Sequence, residues 1–322
     1  MEKVLITDNF AVKYDSGFYL QPLNIVLNKG EIAAVVGESG SGKTTLAKAL
    51  LKLPASQASC EGEVVINGVN IYQLSAAELL ARRSVEFAIC LQNSSELLNP
   101  LLTIREQLYE VLRKAVPEAE LELKATWLLA QLELTPEVLE QYPRQLSGGM
   151  LQKVLIICAV ALSPSLVILD EPTSSLDERA KSRVLDLINM LRQRYQTTFL
   201  IVTHDLSVAK AISQRMFVLY QGKLVETGLT TSLLNKPKHP YTRGLIDSSI
   251  EINPYRDLWG IRQVAAAESE KSGCPFYPRC TQRLPHCAQQ QPDLAPHHSE
   301  PERLIACNRG GVITVLAGKM IT

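Results

Sequence analysis

Residues 37–44, Gly-Glu-Ser-Gly-Ser-Gly-Lys-Thr, match the pattern G-x-x-x-x-G-K-[ST] in full. The octet follows an apolar run, Glu31 to Val36, that reads as a buried strand. It precedes Thr45 to Leu53, where Leu46, Ala49 and Leu50 recur at helical spacing until Pro54 ends the run. A glycine-rich loop between a strand and a helix lets successive backbone N–H groups curl around an anion, and the helix start adds a favourable dipole. Lys43 is placed to neutralise phosphate charge and the Thr44 hydroxyl to hold Mg²⁺. Gly37, Ser39, Gly40, Ser41, Gly42 and Thr45 complete the candidate phosphate-binding set. A glycine-rich turn with no ligand is the plain alternative, and the correct flanking elements weigh against it.

The chain has 322 residues, long enough for two domains and a full hydrophobic core. Its 33 basic and 33 acidic residues balance, so the basic excess of a dedicated nucleic-acid binder is missing and no nucleic-acid partner is expected. No run approaches the roughly 18 apolar residues that cross a bilayer; Val154 to Leu162 is the longest candidate. The first residues, MEKVLITDNF, lack a signal-peptide layout, so the chain is expected to be cytosolic or attached to a membrane through other proteins.

Along the chain, residues 1–36 read as β-rich, and Glu63 to Ile66 reads as a strand entering a tight Asn67-Gly68 turn. From Ser75 to about Ser163 the pattern is mainly helical, punctuated by Pro100, Pro117, Pro136 and Pro143 and interrupted by a strand at Phe87 to Leu91. Leu166 to Leu169 is a short strand ending in Asp170. Val184, Leu187, Ile188 and Leu191 then follow the i, i+3, i+4, i+7 spacing of an amphipathic helix. Phe199 to Val202 and Met216 to Tyr220 are further strands. This alternation predicts an α/β core with a mainly parallel sheet and a helical insertion.

Two further sites accompany the loop. The strand-end pair Asp170-Glu171 supplies one acid for Mg²⁺ and a second, Glu171, to polarise an attacking water. Leu146-Ser-Gly-Gly-Met150 lies before a helix starting near Met150, so Ser147 and the N–H groups of Gly148 and Gly149 form another anion site. One chain has no evident use for it, whereas two chains facing head to tail would enclose two nucleotides, each between a phosphate loop and the partner's Ser-Gly-Gly.

With these motifs, residues 1–230 resemble the ATP-binding-cassette (ABC) ATPase family. The resemblance also rests on Gln92 after a strand, the run Ser174-Ser-Leu-Asp177 and His204 in Val-Thr-His-Asp. It implies the P-loop NTPase fold of an ABC nucleotide-binding domain, with a helical subdomain over about 93–163, binding ATP and Mg²⁺. It makes Glu171 the general base, Gln92 the link from Mg²⁺ or the water to the transporter interface, and His204 the γ-phosphate contact; Thr44, Gln92 and Asp170 hold Mg²⁺. Tyr14, ahead of the loop, is the candidate for stacking on adenine, with Phe18 or Tyr19 as substitutes. The family's usual Gln and Arg are replaced by Met150 and Lys153. Met at the first position is seen in the peptide and nickel importer branch; Lys keeps the charge but loses the planar fork.

Neither a second phosphate loop, nor a sustained heptad run, nor a fused membrane span is present. The resemblance therefore implies a separate ATPase subunit, peripheral on the cytoplasmic face of the plasma (inner) membrane. It would serve two permease subunits and, indirectly, an extracytoplasmic substrate-binding protein. It would pair with a second ABC ATPase as a homo- or heterodimer. Asn93 to Leu108 offers apolar residues where a permease helix could dock. A metal-chelate importer is the alternative within transport, and a soluble ABC ATPase of translation or repair the alternative outside it.

Composition shifts near residue 231. The last 91 residues hold nine of 17 prolines, four of five histidines and four of seven cysteines. Lys238-His-Pro-Tyr-Thr-Arg243 and Gly273-Cys-Pro-Phe-Tyr-Pro-Arg-Cys280 resemble the C-terminal extension of oligopeptide, dipeptide and nickel importer ATPases, making 231–322 a small Cys/Pro-rich extension. Cys274, Cys280, Cys287 and Cys307, spaced C-x5-C-x6-C-x19-C, look like a metal-held lobe, since so few apolar residues cannot easily build a core. Members with this pattern are associated with a [4Fe–4S] cluster. Zn²⁺ fits the same four ligands, and free thiols are the third reading. His286, His297 and His298 are expected in solvated loops.

Overall fold

The computed structural model describes residues 2–53, 57–92, 97–249 and 273–309, and the backbone of 315–316 and 319–320. The described chain separates into two compact units. The first comprises Met1–Val12, Asn24–Ile32 and Thr44–Val202, the second Lys13–Leu23, Ala33–Lys43 and Thr203–Thr322.

In chain order the strands and helices begin with β1 (Lys3–Tyr14), β2 (Tyr19–Leu23), β3 (Val26–Asn28), β4 (Ile32–Val36) and α1 (Lys43–Ala49). There follow β5 (Ala58–Ile66), β6 (Val69–Asn70), α2 (Ala76–Arg82), β7 (Phe87–Cys90), α3 (Ile104–Leu112), α4 (Leu121–Gln131) and α5 (Gly148–Val160). Next come β8 (Leu166–Asp170), α6 (Glu178–Tyr195), β9 (Thr198–Thr203), α7 (Leu206–Ile212), β10 (Arg215–Tyr220) and β11 (Lys223–Leu229). The extension contributes α8 (Thr230–Asn235), α9 (Pro240–Asp247), β12 (Ala295–His297) and β13 (Glu300–Ile305).

In the first unit, β7, β8 and β9 run parallel, with Cys90 opposite Leu169 and Asp170 opposite Val202. All five residues of β8 and all six of β9 are buried, as apolar runs in a parallel sheet must be. Asn67 and Gly68 turn β5 into β6, both at positive φ. Between β7 and β8 the chain is helical, and Pro117, Pro136 and Pro143 each open or precede a one-turn 3-10 segment between α3 and α5. α6 buries the predicted stripe, Val184, Leu187, Ile188 and Leu191, together with Ala180, and Asp177 caps it by accepting the Ala180 N–H at 2.8 Å.

In the second unit, β4 and β10 are parallel, with Val36 opposite Val218, while β10–β11, β11–β13 and β12–β13 are antiparallel. Its core gathers Ala34, Val36, Met216, Val218 and Tyr220 from the strands, Leu233 and Tyr241 from α8 and α9, and Phe276 from the cysteine-rich segment. Phe276, the one phenylalanine after residue 231, is thus seated in this core. His297 corrects the expectation of a solvated loop. It lies in β12 with 2% of its surface exposed, its ring 4.4 Å from that of His298.

Candidate functional site: a phosphate loop, an acidic strand end and a Ser-Gly-Gly helix start

The second unit holds the phosphate loop. Gly37 follows β4 directly, and a Cβ there would lie 2.2 Å from the Leu219 carbonyl oxygen and 2.8 Å from Ser41 Oγ, so only glycine fits. Gly40 and Gly42 take φ of +77° and +102°, in the region glycine enters without strain. The Lys43 ammonium donates to the Gly37 carbonyl at 2.8 Å and the Glu38 carbonyl at 2.9 Å, which holds it within the loop. The turn at Gly222 braces the loop from behind: its N–H donates to the Ser41 carbonyl and its carbonyl accepts the Gln21 N–H, both at 2.8 Å. Ser41 is buried, and its hydroxyl has no hydrogen-bond partner among the described residues. An orphaned buried hydroxyl in a glycine-rich loop fits a phosphate oxygen.

Two more expected residues belong to this unit. Tyr14 is half-buried and meets Phe18 edge-on, ring centres 6.1 Å apart, and the Phe18 ring tip reaches Gly42, where a Cβ would come within 2.8 Å. Tyr19 is 41% exposed. His204 follows β9 and is exposed, immediately before α7, whose N-cap Asp205 accepts the Ser207 N–H at 2.7 Å.

The first unit carries Thr44, Thr45, Gln92, Ser147, Gly148, Gly149, Asp170 and Glu171. Asp170 ends β8 fully buried. Glu171 is 6% exposed and takes φ of +52°, a left-handed conformation that costs a non-glycine residue on the order of 1–2 kcal/mol. Its N–H donates to the Val202 carbonyl at 2.8 Å, which fixes that turn against β9. Because Cys90 pairs with Leu169, the parallel register brings the exposed Gln92 and the Asp170-Glu171 pair to the same ends of β7 and β8. α5 begins at Gly148, two residues earlier than the sequence suggested. Ser147 is therefore its N-cap, accepting the Met150 N–H at 3.3 Å, and Ser147 and Gly148 are exposed. A Cβ at Gly149 would touch Leu176 and Ser175, so the Ser174–Asp177 turn packs beside this helix start. Of the segment expected to meet a permease, 93–96 lies outside the described residues; Leu97 and Leu101 are exposed, while Leu98, Ile104 and Leu108 are core.

Cys274, Cys280, Cys287 and Cys307 all line one small cavity, together with Arg283 and Arg309. None is in a disulfide. Burial raises the thiols of Cys274, Cys280 and Cys307, against which Lys223 pulls on Cys274, and Arg283 and Arg309 on Cys280. The four thiols share this cavity, yet among the described residues no three His, Cys, Asp or Glu side chains converge as a metal-holding cluster.

Sequence reasoning missed one set of contacts with the loop. The Tyr241 hydroxyl accepts the Glu38 N–H at 2.8 Å, and Arg279 forks onto the Glu38 carboxylate at 2.7 and 2.8 Å. Separations of 203 and 241 residues leave no local pattern from which either could be read.

Comparison with known proteins agrees with this geometry. Residues 20–174 match the ABC transporter family profile, and residues 225–287 match the C-terminal region of oligopeptide/dipeptide transporters. The chain is 35% identical to the dipeptide transport ATP-binding protein DppD of Caldanaerobacter subterraneus, over 84% of this chain and 85% of that one. It is 34% identical to the oligopeptide transport ATP-binding protein OppD of Salmonella typhimurium, over 88% and 86%. Among solved structures it resembles the ATP-binding cassette MJ0796, a dimer bound to ADP and Pi, at a TM-score of 0.63 and 30% identity, covering 70% of this chain and 98% of that one. With the strand-flanked phosphate loop, the acidic strand end and the Ser-Gly-Gly helix start all in place, the chain belongs to the ABC transporter family, as an ATP-binding, ATP-hydrolysing subunit.

Proposed function

We propose that this subunit energises import of peptides through a membrane permease. The observation that carries the cargo class is the oligopeptide/dipeptide-type C-terminal region, joined to about one-third identity with dipeptide and oligopeptide transport subunits over most of both chains. Residues 1–230 form the motor, with 93–163 as its helical part, and 231–322 form the extension. Nickel or a metal chelate is the competing cargo. Uptake by a strain lacking this subunit tests the choice: loss of labelled peptide uptake with nickel uptake intact supports the reading, and the reverse overturns it.

In this reading the loop amides, Ser39, Ser41 and Lys43 hold the phosphates, and Thr45 completes the loop's helix start. Thr44, Gln92 and Asp170 hold Mg²⁺, which neutralises phosphate charge when bound. Glu171 accepts a proton from the attacking water, and its strained, hydrogen-bonded backbone holds the carboxylate where it is used. His204 steadies charge on the γ-phosphate, and Tyr14, backed by Phe18, stacks on adenine. Ser147, Gly148 and Gly149 serve the nucleotide of a second ATPase subunit, identical or related, a reading supported by the exposure of Ser147 and Gly148 at the start of α5. Two permease subunits dock on the exposed Leu97 and Leu101, and a substrate-binding protein delivers cargo to the permease. Such docking sets the subunit on the cytoplasmic face of the inner membrane. Among the described residues no helix is long and apolar enough to cross a membrane.

The four cysteines hold a [4Fe–4S] cluster in this reading, with Zn²⁺ as the alternative. Their shared cavity, its two arginines and the nearby Lys223 support an anionic group there. Anaerobic preparation with iron and sulfide analysis tests it, and a colourless, iron-free chain would contradict the cluster.

A further inference from the structure

Glu38 is the only acid within the octet 37–44, so its carboxylate is the one negative side chain in a loop that would hold a polyphosphate. ATP brings three to four negative charges to the same amides. At such short range each would repel a free carboxylate. The structure cancels that charge from the far end of the chain. Both guanidinium arms of Arg279 meet both oxygens of Glu38, and this fork is the leading cause that raises Arg279 above its ordinary value. Arg279 is itself held. It ends a one-turn helix, Tyr277–Arg279, between Cys274 and Cys280, and lies over the Tyr220 and Phe276 rings at 5.7 and 5.9 Å. Phe276 in turn packs edge-on against Tyr220 and Tyr241, with centroids 5.3 and 5.5 Å apart. Tyr241 closes the circuit through its hydrogen bond with the Glu38 amide.

We propose that Arg279 is a positioning residue of the nucleotide site: by anchoring and neutralising Glu38 it makes ATP affinity depend on a well-folded cysteine lobe. The inference rests on the loop's ATP binding and is independent of what the four cysteines hold. A lobe that loosens, by whatever route, withdraws the guanidinium and leaves an uncompensated carboxylate facing the triphosphate. ATP binding then weakens although no residue that touches nucleotide has changed. The pair is partly exposed, with 15% and 36% of its side-chain surfaces open, so water and salt reduce the effect to a modest one.

The test is a set of variants of the full chain titrated with Mg²⁺ and a non-hydrolysable ATP analogue at low salt, each first shown to be folded by its melting curve. Arg279→Ala should weaken binding about fivefold, and adding Glu38→Gln should bring affinity back to within about twofold of wild type. Glu38→Gln alone should bind at least as tightly as wild type. Cys287→Ser, which alters the lobe and neither member of the pair, should weaken binding in the wild-type background and not in the Glu38→Gln background. A purely structural strap predicts the opposite, no rescue by Glu38→Gln, and that result overturns the proposal. So does an Arg279→Ala chain within twofold of wild type. Should Arg279→Ala fail to fold, Glu38→Gln alone decides, since weakened binding in it contradicts charge cancellation. A wild-type chain that binds no analogue would instead refute the ATPase assignment.

Discussion

Glu226 and Arg303 face each other where neither side chain reaches solvent, at 0% and 2% exposure. The Glu226 carboxylate also accepts the N–H groups of Lys238 and His239, each at 3.0 Å, and so fixes the turn into α9. Removing one partner of such a pair leaves a buried charge, so Glu226→Ala should lower unfolding free energy by about 3–5 kcal/mol in urea titrations. His239 lies beside it, capping α9 by accepting the Tyr241 N–H at 3.0 Å on Nδ1. Burial pushes His239 down to about 3, whereas an unfolded chain titrates near 6.5. Between those values the unfolded state binds a proton that the folded state refuses. Stability should therefore fall as pH drops from about 6.5 toward 3, by up to about 1.4 kcal/mol per pH unit for this group. His239→Gln should flatten that slope in unfolding curves measured across the window; an unchanged slope would contradict it. None of these contacts was legible in the sequence, because the partners lie 77 residues apart in the one case and depend on burial in the other. The buried His297 escaped for the same reason.

Elements, by contrast, were largely legible. α6 announced itself by apolar residues at i, i+3, i+4 and i+7, and those residues are buried. β8 and the phosphate loop were equally readable, since each is specified by consecutive residues: an all-apolar run ending in Asp170, and glycines where a side chain would collide. The helices and strands α8, α9, β12 and β13 were not all foreseen. β12 and β13 are short and polar, and they exist by pairing onto β11, which no periodicity reveals. Two expectations follow for α6. Ile188→Ala removes a fully buried side chain from its stripe and should cost about 2–5 kcal/mol. Asp177→Ala removes its cap and should cost about 1 kcal/mol, read from the same denaturant curves.

At the scale of the molecule, the residues expected to handle nucleotide divide between two compact units, with the loop and His204 in one and the acidic pair, Gln92 and the Ser-Gly-Gly turn in the other. The permease-facing surface is expected at Leu97 and Leu101, which are 47% and 82% exposed. Leu101→Asp should leave folding and nucleotide affinity unchanged, since it removes no buried contact, while co-purification with permease subunits drops. Retention of the permeases would move the docking surface elsewhere. The family assignment needs none of that detail, because it rests on local motifs that a chain carries wherever its partners sit. The proposed chemistry at its core has Glu171 taking the proton from water while the loop holds ATP. The most direct measurement compares wild type and Glu171→Gln for nucleotide affinity and steady-state ATP hydrolysis in the same preparation. ATP bound with near wild-type affinity and turnover reduced by about a hundredfold or more is the predicted result. Hydrolysis at the wild-type rate in Glu171→Gln would contradict the account.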